Sequence, residues 1–239
     1  MGTVPPTRRE PPARCDCCDR RLSRRNLLWS SIAAATGLGI AVPQRAMAQT
    51  TLSPGAALQT LLDGNKRYVE QRLTSFNEDL ALLRQKTAEQ QQPFAAVLSC
   101  ADSRVPVELA FDQTIGHIFV TRIAGNLATS EIIASLEYGA AVLGTRVILV
   151  LGHGNCGAVK AAIDGKAVPG QISQLYAPLR AAVDAAGGNL DAAIRANAKI
   201  QAHLLATASP VLAGLIKEGK LNVTAGYYDV GSGMVSVLS

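Results

Sequence analysis

Apolar positions along the chain fall into two patterns. Phe94 to Leu98, directly after Pro93, and Val147 to Leu151 are short unbroken apolar runs of the kind that strands buried on both faces show. His117 to Thr121 reads as another strand, Leu221 to Val230 closes the chain with strand alternation, and Met234 to Leu238 can add an edge strand. Around these runs the period changes. Ala56 to Leu73 and Asn77 to Gln90 predict two helices, rich in Leu, Ala, Glu, Lys and Gln. Ile133, Leu136, Ala140 and Leu143 recur at helical spacing, with Glu131 near the N-terminal end, where an acid complements the helix dipole. Ala-rich helical segments fill Ala158 to Gly219. Strands separated by helices predict an α/β domain with a mostly parallel central sheet covered on both faces. In such sheets ligands gather at the carboxyl ends of the strands.

The first 48 residues do not share this pattern. Residues 1–26 are rich in Pro and Arg, and the apolar stretch Leu27 to Val42 is diluted by Ser30, Ser31, Thr36, Gly37 and Gly39. That is shorter and less oily than the roughly 20 residues of a membrane-spanning helix. It ends in Ala46-Met47-Ala48, small residues where a signal peptidase cuts, and starts behind Arg24-Arg25. The segment resembles a twin-arginine export signal, which predicts cleavage after Ala48 and a periplasmic or equivalent extracytoplasmic destination for residues 49–239. The competing reading is an Arg-rich tail before a membrane anchor; with cleavage, the mature chain has no membrane partner. Cys15, Cys17 and Cys18 would leave with the signal, and C-x-C-C without a second pair is a weak metal motif.

Charge sharpens the division. The net charge of +5 lies within residues 1–48, with eight arginines against three acids, so residues 49–239 carry fifteen charges of each sign. A basic nucleic-acid-binding domain is thereby excluded as the reading of the folded part. At 48% apolar and 17% charged residues the chain has the composition of a globular protein.

Candidate chemistry sits at two strand ends. After the first strand stands Ser99-Cys100-Ala101-Asp102-Ser103-Arg104, and after the third Gly152-His153-Gly154-Asn155-Cys156-Gly157. In an extended chain, residues two apart point the same way, so Cys100, Asp102 and Arg104 are expected to converge. His153 and Cys156, three apart, share a face where a turn or helix begins. Two thiolates and one imidazole make a zinc set one ligand short of a closed structural site, which leaves a position for water. Asp102 can accept a hydrogen bond from that water or take the fourth position itself, and Arg104 can hold Asp102 and attract a small anion. The competing reading is a Cys100–Cys156 disulfide, natural in an exported chain whose folded part holds two cysteines. A disulfide, however, requires neither His153 nor the Asp102–Arg104 pair.

Cys100-Ala101-Asp102-Ser103-Arg104 together with Gly152-His153-Gly154-Asn155-Cys156-Gly157 resembles the β-class carbonic anhydrase family, over roughly Leu58 to Leu238. The resemblance implies about four parallel strands plus an antiparallel one, and homodimers or multiples of dimers. It implies one Zn²⁺ per subunit held by Cys100, His153 and Cys156, with Asp102 and Arg104 as catalytic dyad. Gln91 corresponds to a glutamine that contacts substrate from the neighbouring subunit, and Phe119, Ala124, Gly125 and Tyr138 fall where the family lines its small apolar cleft. The implied activity is reversible hydration of CO₂ to bicarbonate and a proton. Alternatives are a hydrolase of carbonyl sulfide or carbon disulfide on the same scaffold, and a non-enzymatic metal- or disulfide-stabilised domain. His117 and His203 read as surface or packing histidines.

Overall fold

The computed structural model describes residues 49–239; the leader, its cleavage site and the C-x-C-C cysteines lie outside the described residues. In chain order the elements are α1 (Pro54–Val69), α2 (Leu80–Thr87), β1 (Ala95–Ser99), α3 (Val107–Ala110), β2 (Ile118–Arg122), α4 (Ser130–Glu137) running into a π-helical turn (Tyr138–Val142), β3 (Val147–His153), α5 (Gly157–Asp164), α6 (Tyr176–Ala185), α7 (Leu190–Ala208), α8 (Pro210–Lys217), β4 (Asn222–Tyr228) and β5 (Val235–Leu238). The sheet order is β2-β1-β3-β4-β5. All neighbours run parallel except β5, which is antiparallel to β4, as expected from the sequence.

The unbroken apolar runs are explained by burial on both faces. Ala95 and Val97 of β1 and Val147, Leu149 and Leu151 of β3 pack with Ala57 and Leu61 of α1 and with Phe111. The intervening residues Ala96, Leu98, Ile148 and Val150 face Leu136 of α4, Ala198, Ala202 and Leu205 of α7, and Leu212 of α8. Every residue of β1 and β3 is buried, so neither strand has a face left for polar residues. Helix starts follow ordinary capping chemistry: Ser53 accepts from the Ala56 amide before Pro54, Asn189 from Ala192, and Ser209 from Leu212 before Pro210. Among the described residues no helix is long and apolar enough to cross a membrane.

Asp112 ties the entry of the chain to this core. Its fully buried carboxylate accepts from the amides of Thr74 and Ser75, the Thr74 hydroxyl and Arg67 of α1. Burial alone would raise its pKa, but the Ser75 amide, the Arg67 guanidinium and the Thr74 hydroxyl together hold it well below the usual carboxylate range. A group with a depressed folded pKa contributes stability above its unfolded pKa, and that stability is lost as pH falls. Asp112→Asn is therefore expected to cost about 2–4 kcal/mol at pH 7. The gap to wild type should shrink as pH drops below about 4, where the unfolded carboxyl takes up its proton. Urea unfolding of both proteins between pH 3 and 7 measures it.

Candidate metal centre

Parallel register brings the two motifs together. Ser99, the last residue of β1, pairs with Leu151, so Cys100 emerges beside Gly152 and His153 at the carboxyl end of β3. The two elements can sit this close under α7 because residue 152 has no side chain: a Cβ there would stand 3.1 Å from Ile194 Cγ2 and 3.2 Å from its carbonyl oxygen. Asn155 then takes a left-handed conformation (φ 55°), which turns the chain so that Cys156 becomes the N-cap of α5.

The result is a buried cluster. The ligand atoms of Cys100, His153 and Cys156 all lie within 4.8 Å of one another. The two Sγ atoms are 4.0 Å apart and both cysteines are free, an arrangement that does not favour the disulfide reading, since a disulfide needs about 2.05 Å. His153 Nδ1 lies 3.0 Å from the Gly154 carbonyl oxygen; donating to it directs Nε2 inward. That Nε2 is buried and has no hydrogen-bond partner. A soft pair of sulfurs and an orphaned imidazole nitrogen at one buried point fit a divalent metal such as zinc. The Cys100 thiol is held below the usual thiol range, chiefly by its contact with the Cys156 sulfur, with His153 and the Gly125 amide adding to the effect, while that contact and burial push the Cys156 thiol up.

Asp102 and Arg104 meet at the edge of this cluster, although not by strand alternation. β1 ends at Ser99, and the loop after it turns: the Arg104 amide donates to Asp102 Oδ1 (2.9 Å) and the Val105 amide to the Asp102 carbonyl oxygen. The Arg104 side chain closes a two-pronged grip, Nε to Oδ1 at 2.9 Å and Nη2 to Oδ2 at 2.8 Å, and also reaches the Asn155 carbonyl oxygen. Arg104 is the main cause of a carboxyl pKa far below the ordinary range, so Asp102 is an anion at any physiological pH. Its Oδ2 stands 3.9 Å from His153 Nε2. Held by Arg104, the carboxylate faces the cluster from its edge.

Of the other sequence-derived candidates, Gly125 touches the cluster through its amide. Phe119 and Tyr138 pack against each other with ring centroids 6.3 Å apart, Tyr138 is exposed, Ala124 is half-buried, and Gln91 is exposed between α2 and β1. Gly125 is buried, and its amide donates to Cys100 Sγ at 3.3 Å. His117 and His203 are exposed. Three residues at the site were not anticipated. Arg122, at the end of β2, donates to the carbonyl oxygens of Cys100 and Asp102. Asn197 and Gln201 reach the 125–128 loop from α7. A signal for these two existed: both fall on the stripe that also carries Ile194, Ala198 and Leu205, where an amphipathic helix should be apolar.

Comparison with known proteins gives a consistent picture. A family model described as carbonic anhydrase matches residues 95–235. Carbonic anhydrase of Pseudomonas aeruginosa is 35% identical over 168 residues, covering 63% of this chain and 76% of that protein. Carbonic anhydrase 2 of Mycobacterium tuberculosis is 42% identical over 111 residues, 46% of this chain; the match spans only about half (53%) of that relative's length. Among solved structures, the β-carbonic anhydrase of Coccomyxa in complex with acetazolamide superposes with a TM-score of 0.59 at 28% identity, covering 76% of this chain and 86% of that one. A tetrameric β-carbonic anhydrase of Sordaria macrospora shares the fold, with a TM-score of 0.62 at 22% identity over 76% of this chain and 96% of that one.

Proposed function

The chain belongs to the carbonic anhydrase family, in the fold of its β class, and from that premise we propose that it catalyses the reversible hydration of CO₂ to bicarbonate and a proton, with one Zn²⁺ held by Cys100, His153 and Cys156. The observation that carries this reading is the buried meeting of two sulfurs and an unpartnered Nε2 beside a carboxylate clamped by arginine. Bound there, zinc supplies the acidification of water, to a pKa near ~7, that makes a nucleophile available at neutral pH.

The chain's own residues do the rest. Asp102, ionised and fixed by Arg104, is an acceptor that orients a proton-bearing group at the cluster. Arg104, about half exposed at 47%, offers positive charge to the anionic product. The apolar cleft is read as Phe119, Ala124, Gly125 and Tyr138, with Gln91 reaching in from a second copy. CO₂ has almost nothing to grip, so this lining works by shape and exclusion of water rather than by binding energy. A homodimer or a multiple of dimers is supported by α2, which buries none of its residues, exposes Leu80 and Leu82, and borders a groove of about 630 Å³ lined by Leu80, Leu83, Ile115 and Ile118.

Zinc analysis of the purified protein, joined to a stopped-flow CO₂ hydration assay, tests the function. One zinc per chain with hydration is expected; sulfide release from carbonyl sulfide without CO₂ hydration would overturn it. A solution mass equal to that of one chain would sink the dimer. The Arg24-Arg25 leader is proposed to direct export, and Arg24→Lys with Arg25→Lys should leave the protein in the cytoplasmic fraction.

A further inference from the structure

The loop that follows β2 carries the amide aimed at Cys100 Sγ, and its residues 124–129 belong to no strand or helix themselves. Gly125 (φ +79°) and Asn126 (φ 45°) are successive left-handed residues, so the two peptide planes that flank Gly125 are set by whatever their polar groups touch. The Asn126 amide donates to the Ile123 carbonyl oxygen at 2.9 Å, and the Gly125 carbonyl oxygen is taken by a buried relay from α7. Asn197 Nδ2 donates to the Gly125 carbonyl oxygen at 2.8 Å, and Gln201 Nε2 donates to Asn197 Oδ1 at 3.1 Å. Gln201 Oε1 then accepts from the Ala128 amide at 2.9 Å. Asn197 is 0% and Gln201 3% exposed. Two amide side chains are an expensive choice on the buried stripe of a helix, and are tolerated only when their hydrogen bonds are made.

We propose that Asn197 and Gln201 are positioning residues for the Cys100 thiolate. By fixing both ends of the 125–128 turn they hold the Gly125 N–H on the sulfur, and so set the orientation and donor strength of that ligand from one residue removed. The inference rests on the reading of Cys100 as a metal ligand and deepens it. Hydrogen bonds to a ligating group from outside the ligand set tune both retention and electronics of the metal. Neither amide titrates in the physiological range, so this influence is the same at every working pH.

The test compares the zinc-loaded full chain with Asn197→Ala, Gln201→Met and Leu205→Ala. Leu205 is fully buried on the same helix and carries no polar group of the relay, so its truncation lowers stability while every hydrogen-bonding group of the relay stays in place. Zinc release to a chromophoric chelator is expected to be about 10- to 100-fold faster in Asn197→Ala and faster, by less, in Gln201→Met. Leu205→Ala should release zinc at the wild-type rate despite a lower Tm. With Co²⁺ in place of zinc, the sulfur-to-metal charge-transfer band should move in the first two variants and stay in the third. Wild-type release and an unmoved band in Gln201→Met would overturn the proposal even if Asn197→Ala fails to fold, and so would equal acceleration by Leu205→Ala. A wild-type protein that retains neither metal would instead overturn the proposed metal centre, and the positioning role with it.

Discussion

Replacing Cys156 with serine is expected to empty the proposed metal site and lower the proposed CO₂ hydration by more than about 1000-fold, while the fold survives. The two halves of that expectation have separate causes. Cys156 is buried at 1% exposure and is the N-cap of α5, with φ −64° and ψ 117°. Serine is among the best residues at that position, since its hydroxyl can accept from the first free amides of the helix. Its size and rotamers match cysteine, so no cavity opens between Val159 and the other residues packed around it. The hydroxyl is nevertheless a poor zinc ligand, because it stays protonated at neutral pH where a thiol yields a soft anion. Without the metal, the pKa of water rises far above the neutral range and the nucleophile is gone at neutral pH. Metal analysis should fall from one zinc per chain toward none, and the unfolding free energy of the metal-free forms should agree within about 1 kcal/mol. Hydration at the wild-type rate in this variant would remove the metal from the chemistry altogether.

What the sequence carried, and what it could not, divides along the range of the interactions involved. Phe94 to Leu98 and Val147 to Leu151 mark β1 and β3 within two residues at either end because burial on both faces leaves an unbroken apolar signature. β3 runs on to His153 through Gly152, a residue that reads as a strand end but is required by the close passage of α7. The four residues of α3 (Val107–Ala110) are too few to show a period. The spacing of Ile133, Leu136, Ala140 and Leu143 suggests one continuous helix, whereas the segment from Tyr138 to Val142 is π-helical and the Leu143 amide bonds to the Tyr138 carbonyl oxygen. A single widened turn shifts the phase by too little for periodicity to reveal it. The convergence of Asp102 and Arg104 was expected for a reason that does not hold: the carboxylate and guanidinium meet through an Asx-type turn and a fork, in a loop, rather than by alternation along a strand. The relay from Asn197 to Cys100 depends on which helix lands over which loop. Nothing local in the chain encodes that.

Arg104→Lys provides the sharper view of the dyad, and it is expected to lower kcat about 10- to 100-fold with zinc fully retained. Charge is conserved in this change but geometry is not. In the wild type, Arg104 meets both oxygens of Asp102 with parallel N–H groups and uses the same Nη2 to reach the Asn155 carbonyl oxygen, joining the β1 loop to the turn that presents Cys156. A lysine ammonium is a point charge on a flexible stem; it can neutralise Asp102 but cannot hold both oxygens in one plane. The backbone amide of residue 104 would remain as the one directional bond on Oδ1. Asp102 would then be free to rotate about a single anchor, with Oδ2 already only 3.9 Å from His153 Nε2. Asp102→Ala goes further, removing the acceptor itself, and should cost about 100- to 1000-fold in kcat. A purely structural role for the pair predicts something different: reduced stability in both variants and unchanged turnover per folded molecule. Measuring kcat, zinc content and Tm together on the two variants separates the cases. Full turnover with a lowered Tm would reduce Asp102 and Arg104 to a brace for the loop.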